Sequence, residues 1–94
     1  MKKFQDRVAV VTGAGGGLGL AVSRELARRG ADLALVDVSE ERLLETAAAV
    51  RAEGRRASVH AVDITERARV QALVDEVVAE HGRVHMLFNN RMGG

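Results

Sequence analysis

An α/β fold, a parallel sheet of four strands covered by three helices, is the architecture this sequence predicts. Three observations predict it. Four short apolar runs alternate with three stretches of helical periodicity. Each helical stretch closes on a glycine, at Gly30, Gly54 and Gly82. Between the first apolar run and the first helix lies Thr12-Gly13-Ala14-Gly15-Gly16-Gly17-Leu18-Gly19, a glycine turn opening into a helix N-terminus.

The first strand is the run Val8 to Val11. Leu18, Ala21, Val22 and Leu26 then recur at helical spacing and predict the inner face of the first helix. Leu33 to Val36 is the second strand, a continuous apolar run ending at Asp37. Ser39 is placed to cap the second helix, whose inner face reads Leu43, Leu44, Ala47, Ala48 and the stem of Arg51. Ala57 to Val62 is the third strand, ending at Asp63. Thr65 is the expected cap of the third helix, with Glu66 in its first turn where the helix dipole favours an acid. Val70, Leu73, Val74, Val77 and Val78 form the strongest helical stripe, and Asp75 and Glu76 fall on its wet face. Val84 to Phe88 is the fourth strand, running into Asn89 and Asn90.

Strands separated by helices of this length form right-handed βαβ crossovers. If the chain reverses direction after the third strand, the strand order is 3-2-1-4, with two helices on one face and one on the other. A single helix cannot cover four parallel strands, and the fourth strand is left as an apolar edge. The sheet therefore reads as truncated, and residues 1–94 as one partial domain.

Composition narrows the function. The 94 residues carry a formal net charge of +1, and the twelve arginines are interleaved with acids rather than gathered into a stripe. Neither a nucleic-acid nor a membrane partner is expected. There is no cysteine, hence no disulfide framework or thiolate metal site. His60, His81 and His85 share no metal-ligand spacing, so no metal is expected. No acid pair is spaced for hydrolysis, and Ser23, Ser39 and Ser58 show no neighbouring histidine to activate them. With no signal-peptide pattern and no bilayer-length apolar run, the expected location is the cytoplasm.

The residues that remain point to a nucleotide. Glycines allow a tight turn and bring backbone amides close to a diphosphate, and Gly13, Gly17 and Gly19 carry the required spacing. Leu18 begins the helix packing, while Gly15 and Gly16 look like added flexibility. Asp37, at the carboxyl end of the second strand, is placed to accept both hydroxyls of an adenosine ribose; the alternative is a cap for the next helix. A carboxylate there repels a 2′-phosphate, so NAD is expected ahead of NADP. Asp63 is placed to accept from an adenine amino group with Ile64 lining the ring, or to cap the third helix. Asn89 and Asn90 suit either a strand-bridging or a cofactor-facing role.

These segments, in this order, resemble the amino-terminal half of a classical short-chain dehydrogenase/reductase, and the resemblance covers essentially the whole chain. It implies a three-layer Rossmann-like fold and a dinucleotide cofactor. By the resemblance Gly13, Gly17 and Gly19 hold the pyrophosphate, Leu18 borders the cofactor, Asp37 takes the adenosine ribose, and Asp63 and Ile64 take the adenine. Asn90 ends the strand beside the cofactor. Family members transfer a hydride between the nicotinamide and an alcohol or carbonyl. Their serine, tyrosine and lysine lie in a later region, and this chain contains no tyrosine. No catalytic residue is therefore assigned, and the expectation is a cofactor-binding fragment of an oxidoreductase. The double asparagine is followed here by Arg91-Met92, where the family continues with alanine and glycine. The alternatives are a half-domain that self-associates through the fourth-strand edge or the uncovered sheet face, and a remnant with no retained ligand.

Overall fold

The computed structural model describes residues 3–65 and 67–89. The elements run β1 (Val8–Thr12), α1 (Gly17–Arg28), β2 (Asp32–Asp37), α2 (Glu40–Ala52), β3 (Ala57–Ala61), α3 (Arg67–His81) and β4 (Met86–Asn89). All strand pairs are parallel, in the order β3-β2-β1-β4. The predicted topology is present. Boundaries move by a residue or two: β1 extends to Thr12, β2 begins at Asp32, β3 stops at Ala61, and β4 begins at Met86 rather than Val84. Just before β4, the His85 amide donates to the Val8 carbonyl over 2.9 Å and its Nδ1 accepts from the Val8 amide over 2.9 Å, joining the two strands at the sheet margin.

Strand alternation sorts the core into two layers. Ala9, Val11, Leu33 and Leu35 face α1 and α2, where they meet Leu26, Ala27, Leu43, Ala47 and Val50. Val10, Ala34 and Val36 face the other way and meet Leu73 and Val77 of α3. Full burial of a side chain such as Leu33 or Leu35 contributes roughly 1.5–3 kcal/mol, so β1 and β2, sealed on both faces, anchor the fold.

The helix ends follow the sequence. Ser39 Oγ accepts the Arg42 amide 3.3 Å away and caps α2. Gly30 and Gly54 end α1 and α2 at φ 98° and 83°. In each case the glycine amide and the next one return to the last-turn carbonyls, Gly30 and Ala31 to Ala27 and Leu26, Gly54 and Arg55 to Arg51 and Val50. Gly82, φ 87°, donates to the Val78 carbonyl and closes α3. Glu66, expected in the first turn of α3, lies outside the described residues.

The predicted helix faces are partly wrong. On α1 the buried side is Gly19, Ser23, Leu26 and Ala27, while Leu18 and Ala21 are exposed. On α2 Leu44 and Ala48 point outward and Thr46 and Val50 point in. On α3 the buried apolar residues are Leu73 and Val77, with Val74 and Val78 nearly half exposed. Periodicity overcounts these faces because each helix rests on a narrow strip of sheet. The expected shortfall of cover is real: Leu87 of β4, on the α3 side, is 67% exposed. No helix among the described residues is long and apolar enough to cross a membrane.

Candidate functional site

The parallel strands place Thr12, Asp37 and Asn89 together at the carboxyl end of the sheet. Thr12 Oγ1 donates to Asn89 Oδ1 over 2.8 Å, tying the end of β1 to that of β4. The turn that follows is held by the Ala14 amide, which donates to the Val36 carbonyl over 3.0 Å. Thr46 of α2 is fully buried and donates its hydroxyl to the Ala14 carbonyl at 2.7 Å. The turn is therefore fixed from both sides.

Its glycines are not equivalent. Gly13 adopts φ 65°, the left-handed region that side chains disfavour. Gly19 sits where a Cβ would lie 2.6 Å from the Ala14 Cα, so its missing side chain lets α1 pack on the turn. A Cβ at Gly17 would meet nothing within 4 Å, so the protein itself does not require a glycine there. Gly16 precedes α1 without any side-chain cap, which leaves the first-turn amides open for an acceptor.

Gly15 corrects its reading as mere flexibility. Its amide donates to Asp37 Oδ2 over 2.9 Å, and a Cβ would approach that oxygen and the Arg42 Cβ to 2.8 Å. Asp37 also accepts from the Val38 amide at 2.7 Å through Oδ1. The carboxylate is thus oriented by two backbone donors, and each oxygen retains acceptor capacity for a ligand hydroxyl.

A cavity of about 170 Å³ opens beside this carboxylate, between Gly13, Asp37, Val38, Val62, Asp63 and Ile64. Its walls are aliphatic, with carboxylates at the rim, which suits a flat aromatic heterocycle carrying polar edges. Asp63 Oδ1 accepts from the Thr65 amide at 2.9 Å and from its hydroxyl at 2.7 Å, so the loop into α3 is shaped by Asp63. Four predicted site residues, Gly13, Asp37, Asp63 and Ile64, meet at one cavity. Gly17, Leu18 and Gly19 stand at the neighbouring start of α1, with Leu18 55% exposed. Asn90 lies outside the described residues, as do Arg91 and Met92. The walls contributed by Val38 and Val62 were missed, although both flank a predicted aspartate.

Residues 7–92 match the family described as short chain dehydrogenase. The chain belongs to this family. It is 44% identical over 87 residues to a cis-4-hydroxycyclohexanecarboxylate dehydrogenase of Sinomonas cyclohexanicum, covering 93% of this chain and 34% of that protein. The solved structure of an NAD+-bound xylitol dehydrogenase superposes with a TM-score of 0.93 at 41% identity, over 99% of this chain and 35% of the other. A carveol dehydrogenase from Mycobacterium avium, solved in complex with NAD, gives 0.93 at 27% identity, over 100% of this chain and 38% of the other. The chain thus spans about a third of the length of these relatives and matches their cofactor-binding portion.

A second polar cluster overturns one expectation. Ser58 does have histidine neighbours: its Oγ lies 2.7 Å from His60 Nε2 and 2.8 Å from His81 Nε2. The alternation Ser58-Val59-His60 already put the first pair on one face of a strand; the approach of His81 depends on how α3 docks. Ser23, by contrast, is buried on α1 with its hydroxyl unpartnered among the described residues. His81 is held below its ordinary value of 6.5, chiefly by burial and then by the Arg56 guanidinium, against the opposing pull of Asp32 and Glu80.

Proposed function

We propose that these 94 residues are the NAD-binding portion of a short-chain oxidoreductase of the classical type. The observation that carries the reading is the convergence of the glycine turn and the oriented Asp37 carboxylate on one aliphatic cavity. In this reading the amides after Gly16 hold the pyrophosphate, with the open space at Gly17 admitting it, and Gly13 and Gly19 supply turn and packing. Leu18 borders the cofactor, Asp37 accepts the adenosine ribose hydroxyls, and Asp63 and Ile64 take the adenine; Asn90 keeps the cofactor-adjacent role that the family resemblance implies. The NAD-bound relatives support the choice of cofactor.

NAD, when bound, supplies the hydride acceptor of the family reaction between an alcohol and a carbonyl. What these residues contribute is binding and orientation. With no tyrosine in the sequence, they lack the family's proton donor, and we assign no catalytic residue to them. Asp37 also sets the cofactor preference. A 2′-phosphate charge about 4 Å from a carboxylate costs about 1 kcal/mol in water and about 4 at an effective dielectric near 20.

Calorimetric titration of the folded chain with NAD and with NADP tests this. Saturable NAD binding, tighter than NADP and weakened in Asp37→Ala, is the expected result. A folded chain that binds neither dinucleotide reduces the site to scaffold. A second reading, self-association through β4, is favoured by the exposure of Leu87 beside an apolar cavity of about 450 Å³.

A further inference from the structure

The backbone conformation of Gly15 does not require a glycine. Its φ lies outside the left-handed region, so the chain at this point would accept any L residue. What reserves the position is the space beside it. A Cβ there would lie 2.8 Å from Asp37 Oδ2, 3.3 Å from Asp37 Cγ and 2.8 Å from the Arg42 Cβ. At the adjacent Gly16 a Cβ would meet only the Gly13 carbonyl oxygen, at an ordinary 3.9 Å.

Neither the turn nor α2 is free to make room. The Ala14 amide ties the turn to the Val36 carbonyl of β2, and the Thr46 hydroxyl ties the Ala14 carbonyl to α2. Arg42 sits in the first turn of α2 with its amide on the Ser39 cap, so its Cβ moves only with the helix. The Asp37 carboxylate is the free end of a side chain, and it yields at least cost. Once displaced it loses the Gly15 amide, 2.9 Å away, and keeps only the amide of its own neighbour Val38.

We propose, resting on the NAD-binding reading of this cavity, that Gly15 is a specificity-determining residue. By carrying no side chain it lets its amide hold the Asp37 carboxylate at the cavity wall. There the charge accepts a ribose hydroxyl and repels a 2′-phosphate. Gly15 is thus a positioning residue that acts through Asp37. A backbone amide bonded to a carboxylate is a strong, directional contact. The repulsion it maintains falls as the charges separate and as solvent comes between them. Displacing the carboxylate takes an acceptor from NAD and a repulsion from NADP, and both changes lower the ratio of the two affinities.

Calorimetric titration of the full chain with NAD and with NADP tests this in wild type, Gly15→Ala, Asp37→Asn and the double variant. Gly15→Ala should weaken NAD binding. It should lower the NAD-over-NADP ratio by about fivefold or more, the factor set by carboxylate–phosphate repulsion across about 4 Å of water. A turn that is merely loosened weakens both cofactors alike and leaves the ratio in place. Because Gly15 acts through Asp37, adding Asp37→Asn to Gly15→Ala should lower the ratio little further, whereas independent effects multiply. If Gly15→Ala does not fold, Gly15→Ala/Arg42→Gly is compared with Arg42→Gly alone. That pair removes the Arg42 Cβ from the path of the new methyl group and keeps the Asp37 carboxylate in it. An unchanged ratio, or effects that multiply, overturns the proposal while NAD binding by the wild type stands. A folded wild type that binds neither dinucleotide overturns the NAD reading and this proposal together.

Discussion

At the scale of single residues, the glycine turn separates binding from folding, and the separation can be measured. Gly17 has nothing within 4 Å of a would-be Cβ, whereas Gly19 would drive one into the Ala14 backbone. Gly17→Ala should therefore leave stability unchanged or raise it by about 0.4–1 kcal/mol, while weakening NAD binding. Gly19→Ala should lower stability by about 1–3 kcal/mol through overpacking, as read by urea denaturation. Equal losses of stability in the two variants would contradict this division. Asp37→Asn removes the charge but keeps an acceptor oxygen for the Gly15 amide. It should narrow the NAD-over-NADP preference more than it alters folding, and calorimetry with both cofactors shows whether the ratio falls. The spacing of Gly13, Gly17, Gly19 and Asp37 was legible in the sequence because each is tied to a strand end or helix start. The need for Gly15 was not legible, since it arises from Asp37 and Arg42, 22 and 27 positions away in the chain.

At the scale of elements, the order and topology were readable and the helix faces only in part: Leu26, Leu43, Ala47, Leu73 and Val77 are buried as the periodicity predicts. Strand runs such as Leu33 to Val36 are apolar on both sides because β2 is covered on both sides, and that pattern has one reading. Leu44 and Val78 have apolar neighbours at helical spacing yet face outward, because the strip of sheet under each helix is narrower than its apolar stripe. The attachment of α3 adds a pH dependence that no periodicity reveals. His81 takes up a proton at an ordinary value of 6.5 in the unfolded chain and at a lower value in the folded one. Above 6.5 its contribution to stability is fully present. As the pH falls below that point, the unfolded chain binds the proton first and stability declines, down to the folded value. Urea denaturation at pH 7.5 and 5.5 should thus show a loss on acidification that is smaller in His81→Gln. An identical loss in both proteins would remove His81 as its source.

At the scale of the whole molecule, the two faces of the sheet are unequally closed, and the gaps meet at β4. On the α3 side a cavity of about 450 Å³ is bounded by Val10, Leu73, Val77 and the exposed Leu87. On the α1 side one of about 400 Å³ lies between Phe4, Val22, Leu26 and Phe88. Parallel sheets are stable when both faces are covered, and an apolar strand edge templates pairing with another chain. Concentrated solutions of these 94 residues should therefore associate, and sedimentation velocity should show mass rising with concentration. Leu87→Lys places a charge on the exposed face of β4 without entering the cores formed by β1 and β2. It should shift the population toward monomer while circular dichroism stays unchanged. Because Leu87 is remote in sequence and role from Asp37, the same variant should retain NAD binding. If NAD affinity and association fell together in Leu87→Lys, the open face and the cofactor site would be one functional surface. If mass stayed monomeric at every concentration, the exposed β4 would not act as a contact between copies of this chain.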